Sequence, residues 1–278
     1  MKKHPTLALV LAVIPALTAL AVISFGPPVK VGRTSILLWV ADINIGLLFL
    51  LAFTSIGVYG IILGGWSFNN KYSLLGGIRS SAQMISYELA LGLSVVGILM
   101  IYGAIQLDEI VRGQGELIWG WIPKWGVVTQ PLAFFLFLTA TFAESNRLPF
   151  DLPEAESELV VGYHTEYSAM RFALFMMTEY MAMITGSMLI VTLFFGGWQI
   201  PWITSEALRE MVGPIPAALL QVGAFTTKTL FFLWLFVWVR WTLPRFRYDQ
   251  LMRLGWKGIL PLALLNLFVT GAILYAIR

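Results

Sequence analysis

The chain has 278 residues, of which 58% are hydrophobic and 12% charged. Soluble domains carry about 25% charged residues, so composition alone places this chain in a membrane. It has no cysteine, which excludes disulfides, thiolate-held iron–sulfur clusters and cysteine-based zinc sites in this chain. The net charge of +3 comes without a long basic run, and no glycine-rich phosphate motif is present. Nothing therefore points to nucleic acid or to a nucleotide site.

Taken in order, the chain opens on Lys2-Lys3-His4 and an apolar run over 5–25. That pattern fits a cleaved leader or a spanning helix; because six further apolar runs follow, a retained helix is expected. The predicted spans are about 6–25, 43–63, 82–104, 127–146, 172–195, 225–243 and 258–277, each near the 20 residues a bilayer requires. The expected fold is an all-α polytopic integral membrane protein, one membrane domain over 1–278, with about seven transmembrane helices. Leu63-Gly64-Gly65-Trp66 and Phe195-Gly196-Gly197-Trp198 both end a run on glycine followed by tryptophan, as helix ends at lipid headgroups do. With seven spans, one side receives ten Lys and Arg residues and the other six. The positive-inside rule then puts the N-terminus and the loop after the fourth span in the cytoplasm.

That loop is the most unusual stretch. Residues 143–167 hold six of the fifteen acidic residues, between two strongly apolar runs. Glu144 and Arg147 are three apart and can face each other on a helix. Pro149 stops the helix. Asp151 and Glu154 have the spacing of a helix cap with a returning third residue, so a short helix is expected from about 152 to 161. It would carry Glu154, Glu156 and Glu158 with no basic residue. Like charges four apart cost a few tenths of a kcal/mol; such local conflict belongs either to a solvated acidic loop or to a functional surface. The basic segment 245–257 reads either as positive-inside anchoring or as a dock, for a peripheral subunit or for the acidic loop.

Three carboxylates fall within apolar runs: Glu88, Glu144 and Glu179. Glu88 and Glu179 lie roughly 10–12 Å in from the loop side at helical rise. An acidic side chain mid-span costs about 2.5–3.5 kcal/mol, comparable to the roughly 3.7 kcal/mol that moves a glutamate from about 4.3 to about 7. These groups are therefore candidates for proton exchange. The structural alternatives are ion pairs or polar contacts: Glu144 with Arg147, and Glu88 with Gln83 or Lys228. Lys228, inside its own span, has the further choice of reaching outward to the interface. His164-Thr165-Glu166 beside Glu158 makes a poor metal site, with one imidazole and mobile carboxylates, and no metal is expected. With only His4 and His164 in the chain, no Ser-His-Asp arrangement is credible.

The run A-E-S-N-R-L-P-F-D-L-P-E-A-E-S-E-L-V-V-G-Y-H-T-E-Y closely resembles the most characteristic loop of the H subunits of the bacterial proton-translocating NADH–quinone oxidoreductase, respiratory complex I. The likeness continues through F-A-L-F-M-M-T-E-Y, K-Y-S-L-L-G-G-I-R, I-S-Y-E-L-A-L-G and R-Y-D-Q-L-M-R, and covers the whole chain. The resemblance implies a multi-pass subunit of the bacterial cytoplasmic (inner) membrane, without a redox centre of its own. FMN and the iron–sulfur clusters belong to partner subunits and quinone is the substrate; its partners are the peripheral quinone-site subunits, the membrane-arm subunits and the bilayer. It further implies a quinone-chamber loop containing Arg147, Phe150, Asp151, Glu154, Glu156, Glu158, His164 and Glu166, and a proton relay through Glu88, Glu144 and Glu179. The family has eight spans, and Met1 falls just before what resembles the second; a misplaced start, a fragment and a reduced relative all stay open. Two other functions compete: the related membrane subunit of an energy-converting [NiFe] hydrogenase, and a free-standing proton-coupled transporter. The length of the acidic motif favours the first reading over the hydrogenase. The absence of two matching halves counts against the transporter.

Overall fold

The computed structural model describes residues 4–31, 34–41, 43–118, 120–151 and 162–277. Helix α1 (His4–Ala21) leads into a small antiparallel hairpin, β1 (Val29–Val31) and β2 (Thr34–Ile36), with Val29 opposite Ile36. The long helices α2 (Gly46–Trp66) and α3 (Lys71–Tyr102) follow. A short helix α4 (Leu107–Gly113) and a second hairpin, β3 (Leu117–Ile118) with β4 (Ile122–Pro123), then precede the single turn α5 (Gly126–Thr129). After α6 (Pro131–Glu144) come α7 (Ala169–Phe194), the amphipathic α8 (Ser205–Val212), α9 (Pro214–Thr242), α10 (Tyr248–Arg253) and α11 (Leu260–Ile277). A π-helical turn, Leu254–Ile259, joins the last two. Five of these segments are long and apolar enough to cross a bilayer, and α1 and α6 are shorter apolar helices. The chain is an all-α polytopic membrane protein. The two small hairpins lie outside the apolar runs and were not expected from sequence.

Helices cover all seven predicted runs, with different ends. Hydropathy marks only the part of a helix that lipid selects, so α3 starts at Lys71 rather than near 82. Its start is fixed by Asn70, whose side chain accepts from the Tyr72 amide at 3.0 Å, an N-cap of the usual kind. It stops at Gly103, which takes the left-handed conformation (φ 65°) that glycine adopts without strain. The fourth run is broken instead. Gln130 leaves the helical region (φ −138°, ψ 61°) and Pro131 opens α6, as proline does at a first turn. At 14 residues, α6 rises about 21 Å, short of a full span, and the separate α5 turn supplies the rest.

The helix ends sort into two sets. At one end, here the loop end, the start of α3, the segments 145–151 and 162–168 and the approach to α10 meet: Ser73 Oγ donates to the Tyr163 carbonyl, and the Phe246 amide to the Pro149 carbonyl at 3.1 Å. At the other, the hairpin end, the Gln114 side chain joins the last turn of α7 to α5, and Arg209 donates to the Pro28 carbonyl. Between them the core is aliphatic and aromatic, with Leu47, Leu50, Phe137, Phe194 and Phe232 almost wholly buried. On the loop side, α1 and α2 approach so closely that a Cβ on Gly60 would meet the Ala12 backbone at 2.8 Å.

Candidate functional site: buried carboxylates around one cavity

Between α1, α2, α6 and α7, toward the loop end, lies a cavity lined by Pro15, Thr54, Glu144, Tyr163, Glu179 and Gly186 among others. It leaves about 80 Å³ for the centres of water molecules, and one water needs roughly 10–15 Å³ by that measure. The space can hold several ordered waters between the carboxylates.

Small residues contribute much of the cavity's lining. Pro15 removes a backbone donor from α1, and Gly186 and Ala182 present little side chain from α7. Two of the three predicted intramembrane carboxylates, Glu144 and Glu179, face this space. Glu88 does not line it. Its carboxylate takes a hydrogen bond from Ser55 of α2 and sits in a surface groove between α2 and α3. Glu88 and Glu144 are nevertheless near enough to interact electrostatically, and Thr54 lines the cavity together with Glu144.

Glu179 is 7% exposed. Its Oε1 accepts from the Tyr163 hydroxyl at 3.0 Å, and its Oε2 lies 3.8 Å from Arg147 Nη2. The Arg147 guanidinium also sits 4.1 Å over the Tyr180 ring, a favourable cation–π position.

Two pairings expected from sequence are corrected here. Arg147 does not pair with Glu144. Helix α6 ends at Glu144 and Asn146 turns left-handed (φ 49°), so the i,i+3 geometry of a helix is lost and Arg147 swings to Glu179. Glu88 pairs with neither Gln83 nor Lys228. Gln83 is turned toward the loop, donating to the carbonyls of Ala143 (2.7 Å) and Phe150 (2.8 Å). Lys228 belongs to the hairpin end, where its ammonium donates to the carbonyls of Phe195, Gly197 and Gln199 at 2.6–3.1 Å. Those carbonyls follow the C-terminus of α7, where positive charge is favoured. Lys228 has thus taken the outward course.

The loop residues divide. Glu154, Glu156 and Glu158, with the short helix expected for them, lie outside the described residues. Asp151 accepts from Arg245 at 3.0 Å, and Phe150 stacks on Phe246 with ring centres 5.5 Å apart. The basic segment therefore docks the start of the acidic loop. His164 is 1% exposed and packs against the rings of Tyr163, Phe172 and Phe175. Burial pushes its pKa down to about 3. Phe150 and His164 hold the loop in place rather than line the cavity. Glu166 is at the surface, where Asn70 Nδ2 donates to it at 2.8 Å.

Sequence reasoning passed over Tyr163, Thr54 and Ser55. Tyr163 adjoins His164 and could have been noticed as a phenol within a polar loop. A Thr-Ser pair in an apolar run carries no comparable signal, because hydroxyls usually return to the helix backbone.

A bundle of apolar helices around shared carboxylates defines a class: multi-pass membrane proteins with ionisable groups inside. A family model described as NADH dehydrogenase matches residues 2–271. The chain is similar to the first H subunit of the NADH-quinone oxidoreductase of Cytophaga hutchinsonii, 50% identical over 91% of this chain and 71% of that protein. It is equally similar to the first H subunit of Geobacter metallireducens, 50% identical over 96% of this chain and 74% of that protein. With NADH-quinone oxidoreductase subunit 8 of Rhodothermus marinus the identity is 52%, over 83% and 67%. The chain belongs to the NADH dehydrogenase family, in the line of the H subunits of NADH–quinone oxidoreductase.

Proposed function

We propose that this chain is the membrane subunit at which NADH–quinone oxidoreductase links quinone reduction to proton movement, with Glu179, Glu144 and Glu88 as the groups that load and unload protons. The observation that carries this reading is the convergence of Glu144 and Glu179, from different helices, on one cavity, with Glu88 in electrostatic reach. Intramembrane carboxylates are costly and are retained where charge must move.

In this reading the loop 147–171 faces the quinone chamber. Arg147 and Tyr163 are its connection to Glu179, because both contact that carboxylate. When quinone takes up protons or negative charge appears beside the loop, Arg147 can shift its attraction toward it. Glu179 then loses a stabilising cation and gains affinity for a proton. The change passes to Glu144 through the shared waters. Phe150, Asp151, His164 and Glu166 fix the loop's position, and Glu154, Glu156 and Glu158 are assigned to the chamber from the sequence of the acidic loop. The chain walls the quinone route and supplies no redox centre. FMN and iron–sulfur clusters sit in the partner subunits of the peripheral arm, and the membrane-arm subunits receive the displaced charge. In this reading the membrane is a bacterial inner membrane and the loop end faces the cytoplasm, an orientation supported by the larger number of basic residues on that side.

The test is Glu144→Gln in the assembled oxidoreductase in proteoliposomes. Coupled quinone turnover should fall by roughly tenfold or more, on the scale of proton-transfer groups, while NADH oxidation by a water-soluble acceptor is unchanged. Wild-type turnover and proton yield in Glu88→Gln, Glu144→Gln and Glu179→Gln alike would end the proposal. Because the chain has no native cysteine, Met170→Cys, at an exposed loop-end position, reports orientation by labelling from one side of the membrane.

A further inference from the structure

The hairpin end holds a second large hollow, which the relay does not use. It leaves about 610 Å³ for the centres of water molecules, where one water needs roughly 10–15 Å³. Its walls include Pro28 before β1, Arg112 at the end of α4, Glu116 before β3, and Glu206 and Arg209 of α8. The charges around it do not all cancel. Arg112 pairs with Asp108 at 2.7 Å and Glu116 with Lys124 at 2.9 Å. Arg209 and Glu206 stand three apart on α8, a spacing that allows an ion pair, yet Arg209 Nη2 donates to the Pro28 carbonyl at 3.1 Å instead. Among the described residues neither has a salt-bridge partner. A guanidinium has five N–H donors, so Arg209 keeps most of its binding capacity.

The hollow also lies at the surface of the membrane. Helix α8 joins the end of α7 to the start of α9, and both of those are long and apolar enough to cross a bilayer. Met211 and Val212 are exposed on α8 beside its charged residues, as on a helix that lies in the interface. Trp121 and Trp202 are about two-thirds exposed, and Trp202 Nε1 donates to the Trp121 carbonyl at 2.9 Å; indoles favour the headgroup level. Exposed Ile215 and Leu219 continue the apolar surface along the first turns of α9. A polar hollow with one unpaired cation and one unpaired carboxylate thus adjoins a surface suited to acyl chains. A simple anion would meet Arg209 and be repelled by Glu206, and a simple cation the reverse. A zwitterion satisfies both.

We propose that this hollow is a binding site for one zwitterionic phospholipid with a primary-amine headgroup. Its phosphodiester sits on Arg209, its ammonium on Glu206, and its acyl chains along the start of α9. Arginine suits the phosphate, which its planar fork can hold through two N–H groups. An ammonium offers Glu206 three donors. A trimethylated headgroup keeps the positive charge but has no N–H to donate, and a glycerol headgroup has no positive charge. The expected order of preference is therefore ethanolamine, then choline, then glycerol. The site is independent of the proton relay, and neither Glu206 nor Arg209 belongs to it.

The experiment uses the assembled oxidoreductase in vesicles of phosphatidylethanolamine, phosphatidylcholine and phosphatidylglycerol in equal parts. Leu117 lines the hollow and is exposed, and the chain has no native cysteine, so Leu117→Cys carries a photoactivatable cross-linker to this spot. Lipids attached to the peptide around residue 117 are identified by mass spectrometry. The ethanolamine lipid should be captured about threefold more than the glycerol lipid, on the scale of one partly screened ion pair, with the choline lipid between them. Adding Glu206→Gln should abolish that preference, and Glu206→Asp should keep it. Arg209→Gln should lower capture of all three lipids about threefold. The same label on Leu219→Cys, exposed on α9, should capture lipid without preference and so reports accessibility. If Arg209→Gln does not assemble, the two Glu206 variants decide the matter. Equal capture at 117 in the parent, or a preference unmoved by Glu206→Gln, overturns the site. So does capture of a partner subunit's peptide in place of lipid, or no capture at 117 beside efficient capture at 219.

Discussion

The two ends of the bundle bury polar groups in different ways. At the hairpin end they are amides and one ammonium, tied to backbone carbonyls. Gln114, fully buried, donates to the Thr192 carbonyl and accepts from the amides of Gly126 and Gly196. Gln130 bridges Asn266 and Thr270 of α11. Lys228 caps three carbonyls beyond α7. Such networks have one satisfied arrangement and act as locks. At the loop end one amide, Gln83, is held by carbonyls in the same way, but around the cavity the buried groups are carboxylates with hydroxyls, a phenol and an arginine. Hydroxyls and a phenol can donate or accept, so they can serve either protonation state of a carboxyl. The difference teaches that burial of polar groups does not by itself mark a working site. What marks one is a set of partners with two acceptable arrangements.

The sharpest way to break this comparison is at the lock. Lys228→Met leaves three carbonyls without their donor, and each buried acceptor left unsatisfied costs about 1–3 kcal/mol. The half-life of the assembled complex against thermal inactivation should shorten severely, while the pH profile of the surviving activity stays that of the wild type. A shifted pH profile would place Lys228 in the relay and erase the distinction between the ends.

Next in size is the seat of the loop. A Cβ on Gly76 would meet the Gly162 Cα at 2.8 Å, backbone against backbone. Gly76→Ala should cost about 2 kcal/mol, within the range for overpacking. Amide exchange should then quicken over 162–168 and stay unchanged in α1 and α2. Smaller again is the effect of His164. Its folded pKa lies near 3, below the ordinary 6.5, so the unfolded segment binds the proton more readily. The packing it contributes is complete above pH 6.5 and is lost as pH falls toward 3. At pH 5 the loss is about 1–2 kcal/mol. The opening free energy of the same segment, taken from exchange corrected for its intrinsic pH dependence, should fall between pH 6.5 and 5 in the wild type and stay constant in His164→Phe.

Much of this was legible in the sequence. Apolar runs gave seven helices because lipid selects on composition, and three stray carboxylates stood out against them. Partners were harder to read. The i,i+3 spacing of Glu144 and Arg147 assumes that a helix continues, and left-handed Asn146 ends that assumption. Lys228 and Glu88 look like complementary charges in one dimension, yet they sit toward opposite ends of the bundle. Thr54 and Ser55 carry no pattern at all; only the packing of α2 against α3, and the cavity α2 shares with Glu144, bring carboxylates near them.

The finest test of the comparison lies at the rim of the loop end, where Arg245 holds Asp151 at 3.0 Å. Arg245 is about one third exposed and Asp151 about one tenth, so the pair stands between a screened surface bridge and a buried one. Arg245→Gln should therefore cost about 1 kcal/mol, near the top of the range for exposed pairs. The Phe150–Phe246 stack and the bond from the Phe246 amide to Pro149 remain, and they keep the loop's start in register. Coupled turnover should be close to wild type at low salt. Raising the salt should narrow the stability difference between variant and wild type, because the lost pair is partly screened. If Arg245→Gln instead stops turnover while the complex stays assembled, Asp151 belongs with the groups that change state, and the boundary between lock and relay runs through the rim.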